Sequence, residues 1–195
     1  MGRLSPAPVR IDADLLEDFA DPARQDAYPR DSRGYVRVDI SIRAYWHTLF
    51  DQVPQLLDLC GPDGRTIFLP FMQWAKEKKV SFNWAFYLWV YEWLLQSEFR
   101  DRLDTDLLLK MMSAAGGRWI GTDRDTDHCV IIMGCRLLEG SVVVGWKLNS
   151  LATTVIPVER IEFEKPLPSP SGLFGCFYTP TFELDHFPGW QPIPR

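Results

Sequence analysis

The chain has 195 residues, 46% of them hydrophobic and 24% charged, with 21 basic against 26 acidic side chains and a formal net charge of −5. That length suits one domain with a real core, and the composition is too apolar and aromatic for a disordered chain. The excess of acid speaks against a protein that coats nucleic acid by neutralising phosphates. No stretch approaches the roughly 20 apolar residues of a membrane span.

The start, Met1 to Asp21, is proline-dotted and acidic, with no basic segment leading into an apolar one. No secretion signal is expected, and the cytoplasm is the expected compartment. Cys60, Cys129, Cys135 and Cys176 then read as free thiols that pack as small hydrophobes. A zinc site from His128, Cys129, Cys135 and a distant fourth ligand matches no recognised spacing and is set aside.

Residues 1–37 read as an arm. Ile11, Leu15, Leu16 and Phe19 recur at helical spacing within it, which predicts a short amphipathic helix over Asp12 to Ala20. The alternation Tyr35-Val36-Arg37-Val38-Asp39-Ile40 predicts a strand. Ser41 stands as the N-cap of a helix carrying Ile42, Tyr45, Trp46, Leu49, Phe50 and Val53, which Pro54 interrupts or kinks. Gly61-Pro62-Asp63-Gly64 is a turn. A short apolar run over 66–71 follows, and Phe71, Trp74 and Ala75 begin a helical stripe that closes in Lys76-Glu77-Lys78-Lys79.

Residues 82–95 hold three tryptophans, two tyrosines and two phenylalanines, apolar nearly all round a helix. Such a helix is buried on most sides, so this segment reads as the centre of the core, with an aromatic ligand pocket as the alternative. Asp104-Thr105-Asp106 is an N-terminal signal for a helix from Leu107 to Ala115, closed by Gly116-Gly117. Beyond it, residues 129–137 and 141–148 flank Gly140 as a hairpin. Residues 153–163 supply a further strand, with Pro157 pointing to an edge or a bulge. The tail, 166–195, is punctuated by Pro166, Pro168, Pro170, Pro180, Pro188, Pro192 and Pro194, yet keeps Phe174, Phe177, Tyr178, Phe182, Phe187 and Trp190. That mixture predicts an extended wrap over a hydrophobic surface, either the chain's own sheet or a partner.

Candidate chemistry is sparse. His47 lies on a predicted helix beside Trp46, and Asp185-His186 are neighbours in a Pro/Gly-rich tail, where adjacent side chains rarely face each other. Asp123, Asp125 and Asp127 precede His128 in an alternating acidic loop. It lacks the glycine and distal glutamate of an EF-hand calcium loop and reads as a solvated turn. Lys76, Lys78 and Lys79 read as a solvated helix end. No dinucleotide fingerprint, Walker loop, nucleophile elbow or His-Glu-x-x-His string occurs.

Val38-Asp39-Ile40-Ser41, the aromatic helix through Trp46, His47 and Phe50, Phe71 with Lys76 and Lys78, Phe82-Asn83-Trp84-Ala85-Phe86, and Glu98-Phe99-Arg100-Asp101-Arg102-Leu103 follow in an order that resembles the N-terminal part of chloramphenicol acetyltransferases. The resemblance covers residues 38–103. It implies a helix-on-sheet trimer that transfers acetyl from coenzyme A. That family's signature, a pair of histidines shortly before Asp-Gly, has no counterpart here. Asp185-His186-Phe187-Pro188-Gly189 is the nearest string and has the wrong order, so no catalytic base carries over.

These readings combine into an α+β protein: an arm over 1–37, a core over 38–165 in which N-terminal helices pack on a mainly antiparallel sheet, and a proline- and aromatic-rich tail over 166–195. Without a catalytic set, a resident metal or a cofactor signal, the expected function is a non-enzymatic module that binds a protein partner, such as an inhibitor, immunity protein or adaptor. An acidic, aromatic surface would carry the contact: Trp119 and Trp190 as anchors, and Asp123, Asp125 and Asp127 to steer a basic partner. A divergent coenzyme A-dependent acetyltransferase is the alternative. Nucleic acid and membrane are not expected as partners.

Overall fold

A computed structural model describes residues 27–123, 127–147, 158–163, 165–181 and 186–195. The first described helix, α1 (Arg33–Phe50), is opened by Ser32, whose hydroxyl accepts from the Tyr35 amide at 3.1 Å. This satisfies one of the donors that a helix start leaves unpaired. The expected strand over 35–40 and cap at Ser41 are therefore corrected. Val38, Ile42, Tyr45 and Leu49 follow a helical period into the core. Val36 and Ile40, which made the sequence alternate, sit one turn apart on the solvent side at 49% and 60% exposure.

Pro54 occupies the cap position of α2 (Gln55–Cys60), just before the first helical turn, where its missing N–H costs nothing. The turn at 61–64 lies where the composition put it. The apolar run over 66–71 belongs to the same helix as Phe71 and Ala75, α3 (Arg65–Glu77), which carries Pro70 in its interior. The aromatic segment forms the central helix α4 (Phe86–Leu94), with seven of nine residues buried. It starts later than its hydrophobicity suggests because the Asn83 side chain accepts from the Ala85 amide at 2.8 Å and holds a turn ahead of it.

A 3-10 turn (Arg100–Arg102) leads into α5 (Thr105–Thr122), capped by the Asp104 carboxylate on the Leu107 amide at 2.8 Å. The helix does not close at Gly116-Gly117; it runs through them. A Cβ at Gly116 would stand 3.1 Å from Met133 Cε and 3.3 Å from Val158 Cγ1. The glycine lets α5 approach the sheet closely and is no stop signal.

Among the described residues the sheet has four strands, β1 (Val130–Cys135), β2 (Ser141–Trp146), β3 (Val158–Glu162) and β4 (Phe174–Thr179), in the order β3-β2-β1-β4 with every neighbour antiparallel. The predicted hairpin forms with Met133 opposite Val143 and Gly140 at φ 75°. β3 is an edge strand; Pro157, like the helix predicted over Asp12 to Ala20, lies outside the described residues. The tail differs from expectation in one respect: between Pro170 and Pro180 it forms a full strand, β4, paired with β1. The rest of it does wrap. Gln191 exchanges two backbone hydrogen bonds with Cys176, and Trp190 seats over Gly134, where a Cβ would meet its ring at 2.5 Å.

Period-2 alternation gives the sheet two buried faces. Ile131, Met133, Val143 and Cys176 join the helices in the main core, with α5 on the sheet and α4 behind α5. Val130, Ile132, Val142, Val144 and Phe177 form a second cluster under Phe187, Trp190 and Leu167. The class is α+β, with the helices mostly N-terminal. No helix among the described residues is long and apolar enough to cross a membrane.

Candidate functional site

A cleft of about 720 Å³ lies between the C-terminal end of α1, the outer face of α5, Tyr87 of α4 and Val158 of β3. Its floor exists because α5 has two faces. Leu108, Met111, Met112, Ala115 and Trp119 form its buried stripe, which leaves Lys110, Ser113, Gly117 and Arg118 on the opposite side.

Arg118 is the best-anchored cation there. Its Nη2 donates to the Phe82 carbonyl at 2.9 Å and its guanidinium carbon stands 5.6 Å from the Phe86 ring centre. Its Nη1 is shielded from solvent and makes no full hydrogen bond among the described residues. Tyr87 donates its hydroxyl to the Thr48 carbonyl at 2.8 Å, tying α4 to α1 at the cleft wall. Burial pushes the Tyr87 phenol up, and the Arg118 charge, together with the approach of its guanidinium to the phenol oxygen, works against that shift. The wall is thus neutral and the floor cationic.

The residues singled out from the sequence do not meet in this cleft. Trp119 is fully buried at 0% exposure, its ring 5.8 Å from Tyr178, with Lys147 Nζ 4.5 Å from the ring centre. Asp123 stands 3.7 Å from the same Lys147, Asp127 is exposed, and Asp125 lies outside the described residues. Trp190 is half-buried on the outer face of the sheet, its indole donating to the Pro168 carbonyl. Lys76, Lys78 and Lys79 are exposed at the end of α3, as expected.

His47 meets Asp51 at 3.1 Å, but both side chains are 60% exposed on the surface of α1. His128 packs 5.6 Å from the Tyr178 ring, and His186 is exposed. The four cysteines are free; burial pushes the Cys135 and Cys176 thiols up to about 11. Among the described residues, no three His, Cys, Asp or Glu side chains are grouped to hold a metal ion.

Lys110 and Arg118 were not legible as a pair from the sequence. Ending the helix at Gly116-Gly117 separates them, whereas Asp104 as cap and an unbroken helix to Thr122 put them on one face two turns apart. The signal was present in their spacing of eight, with small residues between.

A family model described as "Methanobactin biosynthesis cassette protein MbnC-like" matches residues 25–194. The chain belongs to the MbnC-like family. No curated protein matches it. The MbnC-like match takes in all of residues 38–103 and overturns the resemblance to chloramphenicol acetyltransferases, which rested on packing residues that any aromatic-rich helical core can repeat. It also overturns the reading of an inhibitor, immunity protein or adaptor, and the alternative of an acetyltransferase, since this family is described by a biosynthetic cassette. Composition and motif absence pointed to a binding module because an acidic, aromatic chain without a signature string fits many roles equally well.

Proposed function

We propose that this chain takes part in methanobactin biosynthesis and does so in contact with a protein partner. The family match carries the first part, because it spans every described helix and strand. The second is supported by Val36 and Ile40, an apolar pair one turn apart on the solvent side of α1 at 49% and 60% exposure. The cytoplasm is the compartment proposed for it, supported by four free thiols.

The test is genetic and chemical together. Deleting the gene in a producing host abolishes methanobactin, measured by mass spectrometry, and returning the gene restores it. Undiminished product in the deletion strain would remove the proposal. For the partner contact, exchanging Val36 and Ile40 together for Asp leaves a folded protein that no longer restores full production; full restoration would move the contact elsewhere.

A further inference from the structure

We propose that the cleft between α1 and α5 is an oxyanion-binding site, with Arg118 as its principal donor and Lys110 as its second cation. The two stand eight residues apart on one face of α5, about 12 Å along the axis. Ser113, Ala114 and Gly117 lie between them, and their small side chains leave the hollow open. None of the described residues lining the cleft is acidic, in a chain with 26 acids and a net charge of −5. Neither cation is ion-paired among the described residues. Lys110 also borders a neighbouring hollow that holds Asp58, Asp104 and Asp106. Arg118, positioned on the floor with no acid beside it among the described residues of the cleft, is therefore the cation that calls for an anion from outside.

Arg118 decides what kind. One side of its guanidinium is held by the Phe82 carbonyl and the Phe86 ring, so the group is positioned before any ligand arrives. Beyond its approach to the Tyr87 phenol, the guanidinium keeps a donor, Nη1, that is shielded from solvent and makes no full hydrogen bond among the described residues. Charged N–H donors in that situation are normally satisfied. The planar fork of a guanidinium matches two oxygens of a carboxylate or a phosphate. Lys110, exposed on α5, adds a point charge, and Ser113 and Gln52 add neutral hydrogen-bonding groups at the rim. The ligand class is therefore a small molecule or group that ends in a carboxylate or a phosphate.

The purified full chain is titrated with inorganic phosphate and, separately, with succinate. Calorimetry and thermal melts follow binding, and sodium chloride at matched ionic strength is the control. At least one of the two anions binds saturably and raises Tm. Phosphate binding alone assigns a phosphate ester, and succinate binding alone a carboxylate. Arg118→Gln abolishes binding. Because Arg118 also holds the Phe82 carbonyl, Ser113→Asp is the independent variant: it supplies the chain's own carboxylate to the cleft and weakens binding at least about tenfold, with an unchanged circular dichroism spectrum. Absence of saturation by either anion at about 10 mM, an equal effect from chloride, or unaltered binding by Ser113→Asp would each overturn the assignment. Binding is read on the isolated chain, so its failure leaves the biosynthetic role standing, and failure of that role leaves the site standing.

Discussion

The two faces of the sheet are covered by different materials. On the inner face, α5 lies on β1, β2 and β3, with α4 behind it, and the core there includes side chains with no exposure at all, such as Trp119, Phe86 and Met133. The outer face is covered by extended chain: Phe187 and Trp190 over Phe177, with ring centres 5.2 to 5.6 Å apart. Both solutions keep the strands dry, which is why β1 is buried at every position. They differ in what holds the cover down. A helix satisfies most of its own backbone and is held chiefly by packing, with a few side-chain bonds such as Arg118 on the Phe82 carbonyl. An extended tail has no internal hydrogen bonds and needs anchor points, here the Gln191–Cys176 bridge, the Trp190 indole on Pro168, and the Trp89 indole on the Pro194 carbonyl at 2.9 Å.

That contrast predicts unequal responses to truncation. Trp119→Ala empties the inner core and lowers stability by about 3–5 kcal/mol, read from urea unfolding. Trp119→Phe costs much less than the lost area suggests, because the indole N–H is buried without an acceptor among the described residues and removing it relieves a desolvation penalty. Equal losses from the two variants would show that the indole nitrogen has a partner in solution.

Trp190→Ala removes a half-buried anchor from the outer face and costs about 1–3 kcal/mol. Its sharper readout is thiol labelling. Cys129 packs against the outer cluster, whereas Cys135 and Cys176 sit in the inner one, with thiols pushed up to about 11 by burial. At pH 8, Trp190→Ala speeds labelling of Cys129 and leaves Cys135 and Cys176 protected until global unfolding. If all three accelerate together, the two faces open as one unit and the distinction fails.

The inner cover was far more legible in the sequence than the outer one. A run such as Phe86 to Leu94 has one economical use, and Asp104 announces its helix by a side chain that caps its own third following amide. Where reading failed, a local pattern had two structural meanings. Val36 and Ile40 alternate with polar residues as a strand would, yet they are also one helical turn apart. Only the tertiary fact that Val38 faces the core chooses between these. Gly116 reads as a helix stop until the sheet is seen pressing against it. β4 hides among prolines because a strand needs only a short proline-free window, and its partner β1 lies some forty residues earlier. The candidate cleft was less legible still: Lys110 and Arg118 become a pair only once α5 is continuous, and the shielding of Nη1 depends on atoms from distant segments.

The smallest predicted effect lies at the seam where the outer cover reaches the inner one. Glu92, on α4, is half-buried near the end of the tail, where Arg195 stands 5.8 Å from the Trp89 ring centre. Burial raises the Glu92 pKa, and the charges of Arg195 and Lys78 offset part of that. The folded state therefore holds this proton to a higher pH than the unfolded chain does. Across the window from the ordinary glutamate range up to the raised value, the folded protein binds more protons, so stability falls as pH rises and then levels off. Glu92→Gln removes the penalty: it stabilises the protein at pH 7 by less than about 1 kcal/mol, given the partial exposure, and the gain vanishes below about pH 4. Deleting Arg195 removes one of the charges that ease the burial of Glu92 and widens the difference at pH 7. Should Glu92→Gln instead destabilise at pH 7, attraction to Arg195 and Lys78 outweighs desolvation, and the tail's last residue is held to α4 by charge as well as by the Trp89 indole.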